Sequence, residues 1–296
     1  MFRLDRLRRT GSVSCLLVSR MLLHCLWPEG NRMAAEVLRL RGVSVRYERS
    51  MLLREVDWTA RSDESWVIIG PNGAGKTTLL QVAATLLAPT SGTVEVLGEQ
   101  PHEADLADLR TRIGMCSSAI AERVPPQEKV IDLVLTASYG IVGRDAEDYD
   151  SFDVTRAVEL LDALGCAHLI RRRFSSLSEG ERKRVQIARS MMADPELLLL
   201  DEPAAGLDIG GREDLVERIG WLLRDARSPM MVLVTHHVEE VPHGFTHAML
   251  MRKGSVLAAG PLDEVFTERN LSRCFGVPLQ VERHSARWSA RAVPFR

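Results

Sequence analysis

The chain has 296 residues, 45% hydrophobic and 26% charged, with 38 Lys and Arg against 40 Asp and Glu for a net charge of -2. That length allows about two domains, and the composition excludes a disordered, collagen-like or integral membrane chain. The near balance of charge removes any whole-chain electrostatic case for binding nucleic acid, which is therefore not an expected partner.

The first 32 residues set Arg3, Arg6, Arg8, Arg9, Arg20 and Arg32 around an apolar run at 15–27. Arg20 and His24 interrupt that run, which is shorter than the ~18 apolar residues of a membrane span. It also lacks the uninterrupted apolar core and small-residue cleavage site of a targeting segment. Residues 1–32 are read as an N-terminal extension, with translation expected to begin at Met33. Five cysteines, Cys15, Cys25, Cys116, Cys166 and Cys274, contain no C-x-x-C pair and cannot all pair within the chain, a pattern that fits a reducing compartment.

From Val37 apolar and polar residues alternate, which predicts two short half-buried strands meeting near Gly42. Trp66-Val67-Ile68-Ile69 is a continuous apolar run, followed by a glycine-rich loop and a helix expected over 75–87, stopped before Pro89. A further strand is expected at 93–97. Helical spacing marks 153–164 and 181–192 within a middle region of few β-branched runs. Residues 197–200 and 230–234 read as buried strands of a parallel sheet covered on both faces. The end of the chain, with Arg283, Arg287, Arg291 and Arg296, reads as a helix followed by a frayed terminus.

Gly70-Pro71-Asn72-Gly73-Ala74-Gly75-Lys76-Thr77 satisfies G-x-x-x-x-G-K-[ST] and lies between a predicted strand and a predicted helix, with Thr78 next in the chain. Glycines let successive amide groups turn inward onto phosphates at the positive end of the helix dipole. Lys76 is the expected partner of the β and γ phosphates, and the Thr77 hydroxyl a ligand of Mg²⁺. A second anchor follows in Leu197-Leu198-Leu199-Leu200-Asp201-Glu202: Asp201 for the Mg²⁺ shell and Glu202 to polarise an attacking water.

Leu177-Ser178-Glu179-Gly180-Glu181 resembles the signature sequence of the ATP-binding cassette (ABC) ATPases, and Ser178 with Glu181 also forms a capping box for the following helix. Ala204-Ala205-Gly206-Leu207-Asp208 resembles the D-loop of that family, His236 after Thr235 its switch histidine, and Tyr47 its adenine-stacking aromatic. The resemblance extends over about 230 residues. It departs at Ser117 and Ser118, which follow Ile113-Gly114-Met115-Cys116 where the family has a glutamine that helps to bind Mg²⁺. Ser118 is the candidate at that place, and its hydroxyl has less reach than an amide.

The resemblance implies a P-loop NTPase fold of the α/β class with a parallel sheet, an antiparallel β lobe near the N-terminus and a helical lobe inserted at about 102–185. The ATPase domain is expected over 33–265, with a tail at 266–296. It implies ATP and Mg²⁺ as cofactors, with two copies of the chain, or this chain and a paralogous ATPase, binding nucleotide head to tail between them. Ser178 and Gly180 of one copy, with Asp208, would complete the site of the other. The implied function is the ATP-hydrolysing subunit of a transporter, cytoplasmic and held at the inner face of the membrane by a separate permease. The alternative is an ATPase gating a nucleic-acid, ribosomal or protein partner. Within the family, His236-His237-Val238-Glu239-Glu240-Val241-Pro242 with Thr246-His247 resembles the branch named for molybdate uptake and photorepair.

Overall fold

A computed structural model describes residues 34–139, 148–225, 227–285 and 287–293. The expectations about the N-terminal extension, its cysteines and Met33 lie outside the described residues.

The alternating segment after Val37 forms one long strand, β1 (Glu36–Tyr47), rather than two. Gly42 adopts φ +57 and donates to Asp57 Oδ1 at 2.8 Å, and the register slips between Leu40 and Val43. The glycine thus absorbs an extra residue as a bulge, and the strand continues past it. β1 pairs antiparallel with β2 (Ser50–Arg61) and with β4 (Ser91–Val96), giving a three-stranded sheet in the order β2-β1-β4.

The second sheet positions the site. β3 (Trp66–Ile69), β5 (Ile113–Cys116), β6 (Leu197–Asp201), β7 (Met230–Thr235), β8 (His247–Arg252) and β9 (Ser255–Pro261) lie in the order β5-β6-β7-β3-β8-β9, parallel except for β9 against β8. Alternate residues of each strand enter different cores. Val67, Ile69, Leu198, Leu200, Met231 and Leu233 pack among the helices, whereas Trp66, Ile68, Leu197, Leu199, Val232 and Val234 pack against the antiparallel sheet. Side chains alternate along a strand, so apolar runs such as Leu197-Leu198-Leu199-Leu200 are what a sheet covered on both faces requires.

Helix α1 (Lys76–Ala83) follows β3 and ends earlier than the apolar spacing predicts. Thr85 at φ +57 donates to Val82 O, and Leu86 to Gln81 O, a Schellman turn that closes the helix well before Pro89. Helix α2 (Leu106–Thr111) precedes β5, and between β5 and β6 lie α3 (Ser118–Ala121), α4 (Val130–Leu135), α5 (Ser151–Ala163) and α6 (Glu179–Ser190). The expected starts at 153 and 181 fall two residues inside the helices, because Asp150 and Ser178 cap α5 and α6 with reciprocal capping boxes. Among the described residues no helix is long and apolar enough to cross a membrane.

After β6 come α7 (Ile209–Leu222), β7, a 3₁₀ turn at Val238–Glu240, β8, β9, α8 (Leu262–Val265) and α9 (Glu268–Phe275). The chain does not then fray. β10 (Leu279–His284) and β11 (Arg287–Ala292) form an antiparallel hairpin. Its partly buried Val281, Trp288 and Ala290 pack on the helical-side core, with Trp288 edge-on to Phe266 at 5.3 Å. The arginines that read as a solvated tail are paired: Arg283 with Asp263, Arg291 with Glu282 and Arg287 with Glu213. Arg296 lies outside the described residues.

Candidate nucleotide site

The loop after β3 carries Gly70 to Gly75 into the N-terminus of α1, at the carboxyl end of the parallel strands, where open α/β sheets place their ligands. Two glycines are required sterically. A Cβ at Gly70 would stand 2.2 Å from Met251 O, and one at Gly75, which has φ +98, would stand 2.7 Å from Leu52 O. These approaches wedge the loop between β8 and β2.

Lys76 is 5% exposed and turns back under the loop, donating to Gly70 O at 2.8 Å and Pro71 O at 3.2 Å. Its Nζ lies 3.6 Å from Glu202 Oε1. Thr77 Oγ1 donates to Asp201 Oδ1 at 3.2 Å, which ties the loop helix to the end of β6. Burial pushes the Asp201 carboxyl above its ordinary range, with the Thr77 hydrogen bond and the Lys76 and Lys183 charges pulling the other way.

In a regular strand Asp201 and Glu202 would point to opposite faces. β6 ends at Asp201, however, and Glu202 adopts φ +47, a left-handed backbone uncommon for a residue with a side chain. Its amide donates to Val234 O at 3.0 Å and its carbonyl accepts from Ala205 N at 3.1 Å, which hold this turn. Both carboxylates consequently line one cleft. His236, at the end of β7, brings Nδ1 to 3.3 Å from Glu202 Oε1, off the alignment of a hydrogen bond. The His237 ring lies beside it, tilted by 44° with ring centroids 4.1 Å apart.

The cleft has a volume of about 420 Å³. It brings together Asn72, Gly73, Ala74, Gly75, Lys76, Thr77, Thr78, Ser118, Asp201 and Glu202, together with Lys183 and Ala205. Lys183 was not anticipated, and Ala205 was named only as part of the segment that resembles the D-loop. Lys183 sits among Arg182, Lys183 and Arg184, which reads as an ordinary charged helix surface. The only signal available was that helical spacing turns position 183 to the same side as the apolar Ile187.

Other expected site residues lie elsewhere. Tyr47 is 67% exposed at the β1-β2 turn, on the hairpin whose Leu52 abuts Gly75. Ser178 and Gly180 form the start of α6, where the Ser178 hydroxyl donates to Glu181 Oε2 at 3.0 Å and accepts from Glu181 N at 3.3 Å. Asp208 caps α7, accepting from Gly211 N at 2.7 Å. The two helix starts adjoin each other, since a Cβ at Gly180 would be 3.7 Å from Leu207 Cδ2. None of these four residues lines the cleft.

The donor set suits a small hard cation bound with phosphates. Thr77 and Asp201 could supply oxygen ligands on adjacent elements, and no cluster of three or more His, Cys, Asp or Glu among the described residues offers an all-protein cage.

The ABC transporter family model matches residues 53–205. An uncharacterized ABC transporter ATP-binding protein of Bacillus subtilis, YlmA, is 37% identical over 246 residues, covering 83% of this chain and 93% of that protein. The molybdate/tungstate import ATP-binding protein WtpC of Thermococcus kodakarensis is 35% identical over 234 residues, 78% of this chain and 67% of WtpC. Among solved structures, dimeric MJ0796, a bacterial ABC transporter cassette, shares the fold with a TM-score of 0.66 at 23% identity, over 76% of this chain and 98% of that one.

Proposed function

The chain belongs to the ABC transporter family and is an ATP-binding, ATP-hydrolysing subunit; from that premise we propose that it works as a nucleotide-sandwiched dimer driving a separate membrane permease. The observation that carries this reading is the division of the site residues. The phosphate-binding loop, Asp201 and Glu202 share one cleft, while Ser178, Gly180 and Asp208 stand outside it at two adjoining helix starts. A second copy placed head to tail would bring those helix starts, which favour anions, onto the bound triphosphate.

The chemistry is positioning and charge neutralisation. Lys76 exchanges its bonds to Gly70 O and Pro71 O for bonds to the phosphates. The Thr77 hydroxyl and the Asp201 carboxylate, with Ser118 nearby, would hold Mg²⁺, which when bound would supply neutralising charge to the phosphate oxygens. Glu202 orients the attacking water and takes its proton on a carboxylate oxygen. His236, beside that carboxylate, contacts the γ-phosphate. Tyr47 offers an exposed ring to the adenine. Loss of the bridging phosphate opens the dimer, which converts chemistry into movement.

In this reading the protein resides in the cytoplasm at the inner face of the membrane, bound to its permease. Cargo selection belongs to that permease and not to the phosphate cleft. The likeness of 236–242 to the molybdate branch and the name of WtpC both nominate molybdate as the cargo to try first. Affinity capture of the native protein from gently solubilised membranes, with and without ATP, tests the proposal. A co-purifying multi-span protein is the expected result, and absence of membrane association under both conditions would remove the permease.

A further inference from the structure

Of the three consecutive cations Arg182, Lys183 and Arg184, Lys183 alone is buried, at 8% exposure, and it lines the nucleotide cleft with Thr77, Ser118, Asp201 and Glu202. Taking an ammonium out of water is costly unless a carboxylate meets it directly. Among the described residues, the carboxylate within ion-pair reach of Lys183 is Glu179, one turn back at 4.0 Å and itself half exposed. That contact is too long and too wet to account for the burial.

The other charge facing Lys183 belongs to the cleft. Asp201 feels the lysine's field, but its Oδ1 already accepts from Thr77, and Glu202 Oε1 lies 3.6 Å from Lys76 Nζ. Cys116, at the end of β5, is within the lysine's field, but burial pushes its thiol up to about 12, so it supplies no counter-charge. Lys183 therefore lies buried at the phosphate cleft with only the 4.0 Å contact to Glu179 as an ion pair among the described residues. Ser118 lines the same cleft.

We propose that Lys183 is a second nucleotide-binding lysine, bringing to the triphosphate from α6 a positive charge that adds to that of Lys76 from α1. Because the added charge acts on phosphate oxygens, it favours ATP over ADP. Its effect is greatest when no divalent cation shares the neutralisation. It also makes nucleotide binding less dependent on Mg²⁺ than a single-lysine cradle would be.

This inference rests on the nucleotide cleft assigned above, and binding of Mg·ATP by the unmodified chain tests that assignment separately. The test of Lys183 is titration of the full chain with ATP and with ADP, in EDTA and in excess Mg²⁺, for the wild type, Lys183→Met and Lys183→Arg. In EDTA, Lys183→Met is expected to lose about tenfold in ATP affinity and clearly less for ADP, the size of one charged hydrogen bond. Lys183→Arg should retain most of the wild-type preference, and in Mg²⁺ the loss should shrink. Lys183→Gln carries the same expectation should the Met variant prove unstable. An ATP to ADP affinity ratio that is unchanged in EDTA, whether both affinities fall together or neither moves, would overturn the proposal.

Discussion

Among single residues, Glu202 does most to shape the site. Its left-handed backbone undoes strand alternation at one position, so that two neighbouring carboxylates face one cleft. Glycines act beside it by exclusion. Gly75→Ala would place a methyl 2.7 Å from Leu52 O on a φ of +98, so equilibrium titration should show ATP binding reduced at least tenfold.

Glu181 supports the signature helix in a pH-dependent way. Its hydrogen bond from the Ser178 backbone, opposed in part by burial, holds its carboxyl below the ordinary value of 4.5. A lowered folded-state pKa means that this contribution is complete above 4.5 and disappears as pH falls through the lowered value. Glu181→Ala should cost about 1 kcal/mol at neutral pH. The Tm gap between wild type and variant, followed by thermal melts, should close as the pH is taken well below 4.5. A gap independent of pH would contradict this role for the capping box.

At the scale of elements, the C-terminal hairpin braces the turn that follows His236. Ala290 N donates to Glu239 Oε1 at 3.1 Å, Arg287 binds Glu239 O and pairs with Glu213 of α7 at 2.9 Å, and Thr235 bonds the buried Glu240. Deleting residues 279–296 should therefore lower ATPase turnover several-fold while ATP affinity holds, as read from steady-state kinetics and equilibrium binding. The loop after β5 gives a second test. Ser118→Gln should leave nucleotide binding intact and change the hydrolysis rate, and loss of binding would refute the assignment of that position.

Elements were legible where a local signal sufficed. The strand, glycine loop and helix around Lys76, and the Leu197 to Leu200 run before Asp201, declare themselves through period and turn chemistry. β10 and β11 did not. In β11 Arg287 and Arg291 alternate with Trp288 and Ala290, while in β10 Arg283 follows Val281 on the same face, and that apolar face has meaning only once Phe266 and the helical core are there to cover it. Lys183 was hidden for a related reason: its neighbours Arg182 and Arg184 carry the same charge, and only the folded packing of α6 against the cleft separates it from them.

At the scale of the whole molecule, one largely parallel sheet divides two cores and brings the phosphate loop, Asp201 and Glu202 from its strand ends to one cleft, with His236 beside Glu202. The starts of α6 and α7 remain outside that cleft, which is why the account requires a second copy of the chain. Sedimentation velocity of Glu202→Gln with saturating Mg·ATP tests this most directly. The account predicts a nucleotide-dependent dimer that lacks turnover, whereas a single monomer boundary at saturating nucleotide would contradict it.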